Sequence, residues 1–128
     1  LASNQSNIDF GTLCENLAAD FLLDNGYKVI AKNMRMGRGE IDLIATIDQT
    51  ICFIEVKASC SLAFGLPEER VNLKKQRQLI KLAKLFLQKN RNFQYSFDPR
   101  FDVISVIKNK RNDDSPCEIY HLIDAFRL

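Results

Sequence analysis

The sequence predicts an α/β layer fold, a mixed central β-sheet flanked by helices. Apolar residues recur at helical spacing in two stretches, around Phe10 to Phe21 and Leu79 to Leu87. Short runs rich in β-branched and aromatic residues fill the space between and after them. The resulting order, helix, three strands, helix, two strands, is that of a layered α/β domain. At 128 residues the chain suits one domain, spanning residues 1–128, with a genuine core.

Each element has its own signal. Asn7 or Asp9 can cap the first helix, which carries Phe10, Leu13, Cys14, Leu17, Ala18 and Phe21 on one stripe and stops at Asn25-Gly26. Glu15 projects at the edge of that stripe, beside Gly11, Ala18 and Leu22. Tyr27 to Met34 reads as a strand and Met36-Gly37-Arg38-Gly39 as a turn. That turn precedes a strand and lacks a third glycine, so it is no dinucleotide site. A hairpin turn is the simplest reading, with Arg38 and the backbone amides within reach of a phosphate. Two apolar runs follow, Ile41 to Ile47 and Ile51 to Val56, joined by Asp48-Gln49-Thr50. Ser59 to Pro67 reads as a loop and about Glu68 to Lys89 as a long helix. Arg91 to Pro99 is a connection, Phe101 to Ile107 a strand, Asn109 to Pro116 a polar turn and Glu118 to Ile123 a last strand.

The hairpin of the two central runs carries the chemistry. With Asp48 and Gln49 at its tip, Ile47 faces Thr50, Asp42 faces Glu55 and Glu40 faces Lys57. A slip of one residue would send Asp42 and Glu55 to opposite faces. Paired Cβ atoms lie about 4.5–5.5 Å apart, so the two carboxylates repel. Two readings fit them: a solvated face with Lys57 as ion-pair partner, or a site for a hard divalent cation. Ile44, Ile51 and Phe53 share that face, which favours a polar site at the edge of a core.

The long helix has a stripe of Leu79, Leu82, Ala83, Phe86 and Leu87, with Lys74, Arg77, Lys81 and Lys84 opposite. From Arg70 to Arg91 there is no acidic residue. A solvated basic face and a phosphate-binding surface both fit, and the single sign of the charge tips the balance to phosphate. Lys75 differs: it lies in line with Leu79, Leu82 and Phe86, so it must snorkel or meet an anion.

Composition narrows the function classes. Apolar residues at 46% and charged residues at 27% are ordinary for a globular protein, and no apolar run approaches a membrane span. Cys14, Cys52, Cys60 and Cys117 show no CxxC spacing, and His121 is the single histidine, which argues against structural zinc. Reduced thiols in a cytoplasmic protein are the expectation. With no apparent nucleophile partner, His121 reads as structural. A net charge of +2 does not by itself imply nucleic acid.

Asp42 followed by Glu55-Val56-Lys57 resembles the Asp…Glu-x-Lys signature of the restriction-endonuclease-like nuclease superfamily. A wider ordered set resembles the YraN-like family of bacterial predicted endonucleases, related in fold to archaeal Holliday-junction resolvases. It comprises Gly11…Glu15, Gly39-Glu40-Ile41-Asp42-Leu43-Ile44, Phe53 to Lys57, Phe64-Gly65, Lys75-Gln76-Arg77, Arg100-Phe101-Asp102-Val103 and Ala125-Phe126. Cys14, Met34 and Ser59 depart from the family pattern at a usual glycine, aromatic and arginine; the missing arginine removes one phosphate contact.

The resemblance implies a restriction-endonuclease-like three-layer fold and a metal-dependent endonuclease acting on DNA phosphodiesters, branched or structured DNA included. Asp42 and Glu55 are expected to hold Mg²⁺ or Mn²⁺, with the Val56 carbonyl as an extra ligand. Lys57 is expected to orient or activate water or to stabilise the transition state. Glu15 is expected as a third acidic group near the metal. Arg38, Lys74, Lys75, Lys81 and Lys84 are the candidate DNA contacts. A homodimer on a two-fold substrate completes the expectation, with Phe93, Tyr95 and Phe97 either at its interface or covering the protein's own core. The alternative is a nucleic-acid-binding protein of the same fold without relevant cleavage.

Overall fold

The computed structural model describes residues 9–59, 71–107 and 117–127. The expected loop at 59–67 and the polar turn at 109–116 fall almost wholly outside them. Helix α1 (Phe10–Asp24) starts where the Asp9 side chain accepts the Thr12 N–H at 2.7 Å. Three strands follow: β1 (Lys28–Met36), β2 (Gly39–Ile47) and β3 (Thr50–Ser59). Helix α2 (Leu73–Lys89) begins later than the apolar pattern implies. Asn72 accepts the Lys75 N–H at 2.9 Å and fixes the start there. A short helix α3 (Arg91–Ser96), read from sequence as plain connection, leads into β4 (Asp98–Ile107) and β5 (Glu118–Phe126).

The sheet order is β1-β2-β3-β4-β5. Only β3 and β4 run parallel; the other neighbours are antiparallel, so the sheet is mixed. The β2–β3 hairpin has the register the sequence predicts, from Ile47↔Thr50 to Leu43↔Ile54.

Both faces of the sheet are covered. On one, Cys14, Ala18 and Leu22 of α1 pack on Leu43, Ala45, Cys52, Ile54, Ile104 and Val106. On the other, Leu79, Leu82, Ala83 and Phe86 of α2 pack on Ile41, Ile44, Ile51, Phe53 and Phe101. Alternation along β3 sends Ile51 and Phe53 to α2 and Cys52 and Ile54 to α1. Such a doubly covered strand reads as continuously apolar, which is why the charges at its end stand out.

The aromatic connection divides. Phe93 and Phe97 pack against the α2-side core, Phe93 with its ring centroid 6.0 Å from that of Phe86. Tyr95 is 76% exposed. Two of the three residues expected at a dimer interface therefore cover the protein's own core. Among the described residues no helix is long and apolar enough to cross a membrane.

Candidate metal centre

The β2–β3 ladder, as described, stops at Leu43↔Ile54. One more step would set Asp42 against Glu55. There the Asp42 carboxylate reaches across instead, its Oδ2 accepting the Val56 N–H at 2.9 Å. A side chain has replaced the next rung.

The cause lies in β1 and β2 together. Leu43 packs toward α1, while Ile41, two residues away, packs toward α2. Residues two apart in a regular strand share a face, so β2 turns over between them, at Asp42. In β1 the matching place is Asn33, between the pairs Lys32↔Leu43 and Met34↔Ile41. Asn33 has φ 50°, left-handed backbone that asparagine tolerates better than most residues.

Helix α1 brings Glu15 to the same place. Glu15, Glu40 and Asp42 each offer a carboxylate oxygen, and these lie within 4.8 Å of one another. All three residues are half-buried. Burial, with Asp42 next in size, pushes the Glu15 carboxyl above its ordinary range; a hydrogen bond with the Asn33 side chain opposes this. Burial also raises Asp42, against the pull of the Val56 N–H and then of Lys75.

Glu55 lies on the α2-facing side of β3 and feels the Asp42 charge, but it is not one of the three carboxylates that lie within 4.8 Å of one another. It is 6% exposed, and its Oε2 is buried without a hydrogen-bond partner. Its Oε1 lies 3.8 Å from Lys57 Nζ and 3.7 Å from Lys75 Nζ. Lys75, which the helical stripe required to meet an anion, therefore meets Glu55. Burial first, then the Asp42 charge, lifts the Glu55 carboxyl to about 7, despite the two lysines. The centre thus joins Glu15 of α1, Glu40 and Asp42 of β2, Glu55 and Lys57 of β3 and Lys75 of α2.

Hard carboxylate oxygens at this spacing can coordinate a divalent cation of the Mg²⁺ or Mn²⁺ type. The donor set fits: burial first, then the Asp42 charge, raises Glu15 and Glu55, a cation offsets both, and the Glu55 Oε2 has no partner. The backbone of Val56 is engaged here through its N–H.

Sequence reasoning did not single out Glu40 as a ligand. Its signal was available, since it alternates with Asp42 along β2. Glu40 also lies 3.8 Å from the exposed Arg35. Of the basic residues, Arg38 sits on the β1–β2 turn, and Lys74, Lys81 and Lys84 are exposed on α2.

A second charged cluster also escaped the sequence reading. Asp102 is fully buried on β4. It accepts two hydrogen bonds from Arg100, at 2.9 and 2.8 Å, and one from the Asp124 N–H at 2.9 Å. His121 Nε2 lies 2.8 Å from its Oδ2, and Arg100 also donates to the Tyr27 hydroxyl at 2.8 Å. Burial raises the Asp102 carboxyl, but His121, Arg100 and the Asp124 amide outweigh it and hold it below its ordinary range. His121 is structural here, packed between Phe21 and Tyr27.

Fold and centre together define a three-layer α/β protein with an acidic, cation-ready cluster where its central hairpin opens. The chain belongs to the uncharacterised protein family UPF0102, whose family model matches residues 14–106. It is 43% identical over 121 residues to a UPF0102 protein of Clostridium botulinum strain Alaska E43, covering 94% of this chain and 96% of that one. It is 45% identical over 122 residues to one from Natranaerobius thermophilus, covering 94% and 99%. A Chloroherpeton thalassium member is 43% identical over 126 residues, covering 95% and 96%.

Proposed function

We propose that this protein is a metal-dependent endonuclease of the restriction-endonuclease-like superfamily, hydrolysing DNA phosphodiester bonds, with branched or structured DNA among its substrates. The observation that carries the reading is the joining of the Glu15–Glu40–Asp42 cluster to a buried Glu55 whose Oε2 has no partner, with two lysines alongside. Anionic substrate chemistry needs both signs: carboxylates alone repel a phosphodiester, and lysines alone activate nothing.

Asp42 and Glu55, helped by Glu15, Glu40 and the Val56 carbonyl, would hold Mg²⁺ or Mn²⁺. Such a cation supplies positive charge against phosphate oxygens and lowers the pKa of water. Asp42 is fixed for this by the Val56 N–H, which its Oδ2 accepts at 2.9 Å. Lys57 and Lys75 hold Glu55 through Oε1 and leave Oε2 for a ligand or a proton. Lys57, about one-third exposed, has the reach to stabilise charge developing on a phosphate oxygen or to orient water. Exposed Arg38, Lys74, Lys81 and Lys84 would position the DNA backbone.

The test is incubation of the purified protein with linear, flapped and four-way-junction DNA, with and without Mn²⁺. Mn²⁺-dependent cleavage lost in Asp42→Asn supports the reading. Binding without cleavage in every metal would replace it with a nucleic-acid-binding protein of the same fold. A single centre cannot cut two strands of a junction at once, so the proposal extends to two copies on that substrate. Light scattering on the junction complex reads this, and one copy per junction would remove it.

A further inference from the structure

Two shallow depressions adjoin along α2. The first has a floor of Met36, Leu82 and Leu85 and a rim of Arg38, Gln78 and Lys81, with a volume of about 260 Å³. The second, about 300 Å³, is floored by Ile80 and Leu85 and rimmed by Arg77, Lys81 and Lys84. They share Lys81 and Leu85, and among the described residues neither lining contains an acidic one.

The turn between β1 and β2 forms one wall of the first depression and is held tight. A Cβ on Gly39 would stand 2.7 Å from Leu82 Cδ1, so any larger residue there would push the Leu82 side chain aside. Gly37, at φ 58°, shapes the turn that presents Arg38. The first depression is lined by neighbours in sequence of two residues of the centre. Gly39 directly precedes Glu40, and Gln78 follows Lys75 by one helical turn, about 5 Å along the axis.

Apolar floors alternating with cationic rims do not match duplex DNA, which shows a protein its phosphates and keeps its base faces stacked. They match a single strand, whose unstacked bases lie on apolar surface while its phosphates meet cations. Resting on the nuclease reading for its link to the centre, we propose that the α2 groove binds an unpaired DNA strand. Bases sit on the exposed parts of Met36, Ile80 and Leu85, and phosphates meet Arg38, Lys81, Arg77 and Lys84. The preferred substrate then carries unpaired nucleotides beside the bond presented to the centre.

The probe is a fluorescent single-stranded oligonucleotide, compared by anisotropy in EDTA with a duplex and with an abasic strand of the same length and charge. The base-bearing strand is expected to bind at least about tenfold more tightly than the abasic strand, and more tightly than the duplex. Leu85→Ser should remove most of the base-bearing strand's advantage over the abasic one. Arg38→Gln with Lys81→Gln should weaken both strands alike and flatten the salt dependence. Circular dichroism melts check that each variant folds; should Leu85→Ser not fold, the abasic comparison in the wild type decides. Equal affinity for abasic and base-bearing strands, or tighter binding of the duplex, overturns the proposal. Cleavage is measured separately with Mn²⁺: loss of the base preference with cleavage intact ends the groove assignment alone, and base preference without cleavage ends the nuclease reading alone.

Discussion

Asp102 on β4 and Glu55 on β3 are both buried carboxylates on the two parallel neighbours of one sheet. Asp102 has its charge answered: two bonds from Arg100, one from a backbone N–H, and His121 at 2.8 Å. Its carboxyl is held below the ordinary range although burial opposes this. Glu55 has two lysines at 3.7 and 3.8 Å, too far for good hydrogen bonds, and an oxygen with no partner. Its carboxyl is pushed up to about 7. A buried acid that the fold satisfies holds the fold together; one that the fold leaves wanting is held ready for something outside it.

The largest expected effect is on the satisfied acid. Asp102→Ala leaves Arg100 without its bidentate partner and the Asp124 N–H unpaired, and should cost roughly 3–5 kcal/mol of stability in urea unfolding. A cost under about 1 kcal/mol would make the network ornamental.

Glu55 should behave in the opposite way. Its folded carboxyl titrates near 7 against an ordinary 4.5, so the folded protein holds the proton more tightly than the unfolded chain. Its contribution is therefore complete below about pH 4.5 and is lost as pH rises through 7, by roughly 3 kcal/mol. Glu55→Gln should unfold later than the parent at pH 8 without metal, with the gap closing toward pH 5. Parallel stability–pH curves for the two proteins would deny that Glu55 is strained.

Metal should relieve the same strain. Mn²⁺ at a hundredfold excess over its Kd should stabilise the parent by about 2.7 kcal/mol. Asp42→Asn should lose most of that increment, and Asp102→Asn, if folded, should keep it. Equal increments in both variants would place the ion elsewhere. The smallest effect concerns the exposed face. Replacing Lys74, Lys81 and Lys84 with Gln should leave folding within about 0.5 kcal/mol of the parent. It should also lower the salt slope of DNA binding by nearly three units. An unchanged slope would show a face that is merely solvated.

Much of this was legible in the sequence because it depends on period and register. Counting from the Asp48-Gln49 tip gives the observed ladder, and alternation puts Glu55 and Lys57 on the α2 side with Ile51 and Phe53. What was not legible departs from the period. Nothing local announces that β2 turns over at Asp42 or that Asn33 adopts positive φ opposite it. Counting therefore set Glu40 against Lys57, whereas Glu40 joins Glu15 and Asp42. The Asp102 network hid for another reason. Its members Tyr27, Arg100, Asp102 and His121 come from distant parts of the chain, although Arg100 and Asp102, two apart on one strand, could have been read as a pair.

The hairpin's open end is a carboxylate centre that should take up a divalent ion. Electron paramagnetic resonance of free Mn²⁺ during titration reads this directly, at pH 6 and at pH 8. Binding should be saturable, tighter at pH 8 because Glu55 must lose a proton near 7, and abolished in Asp42→Asn. Binding that is absent, independent of pH across that interval, or unchanged in Asp42→Asn would contradict this.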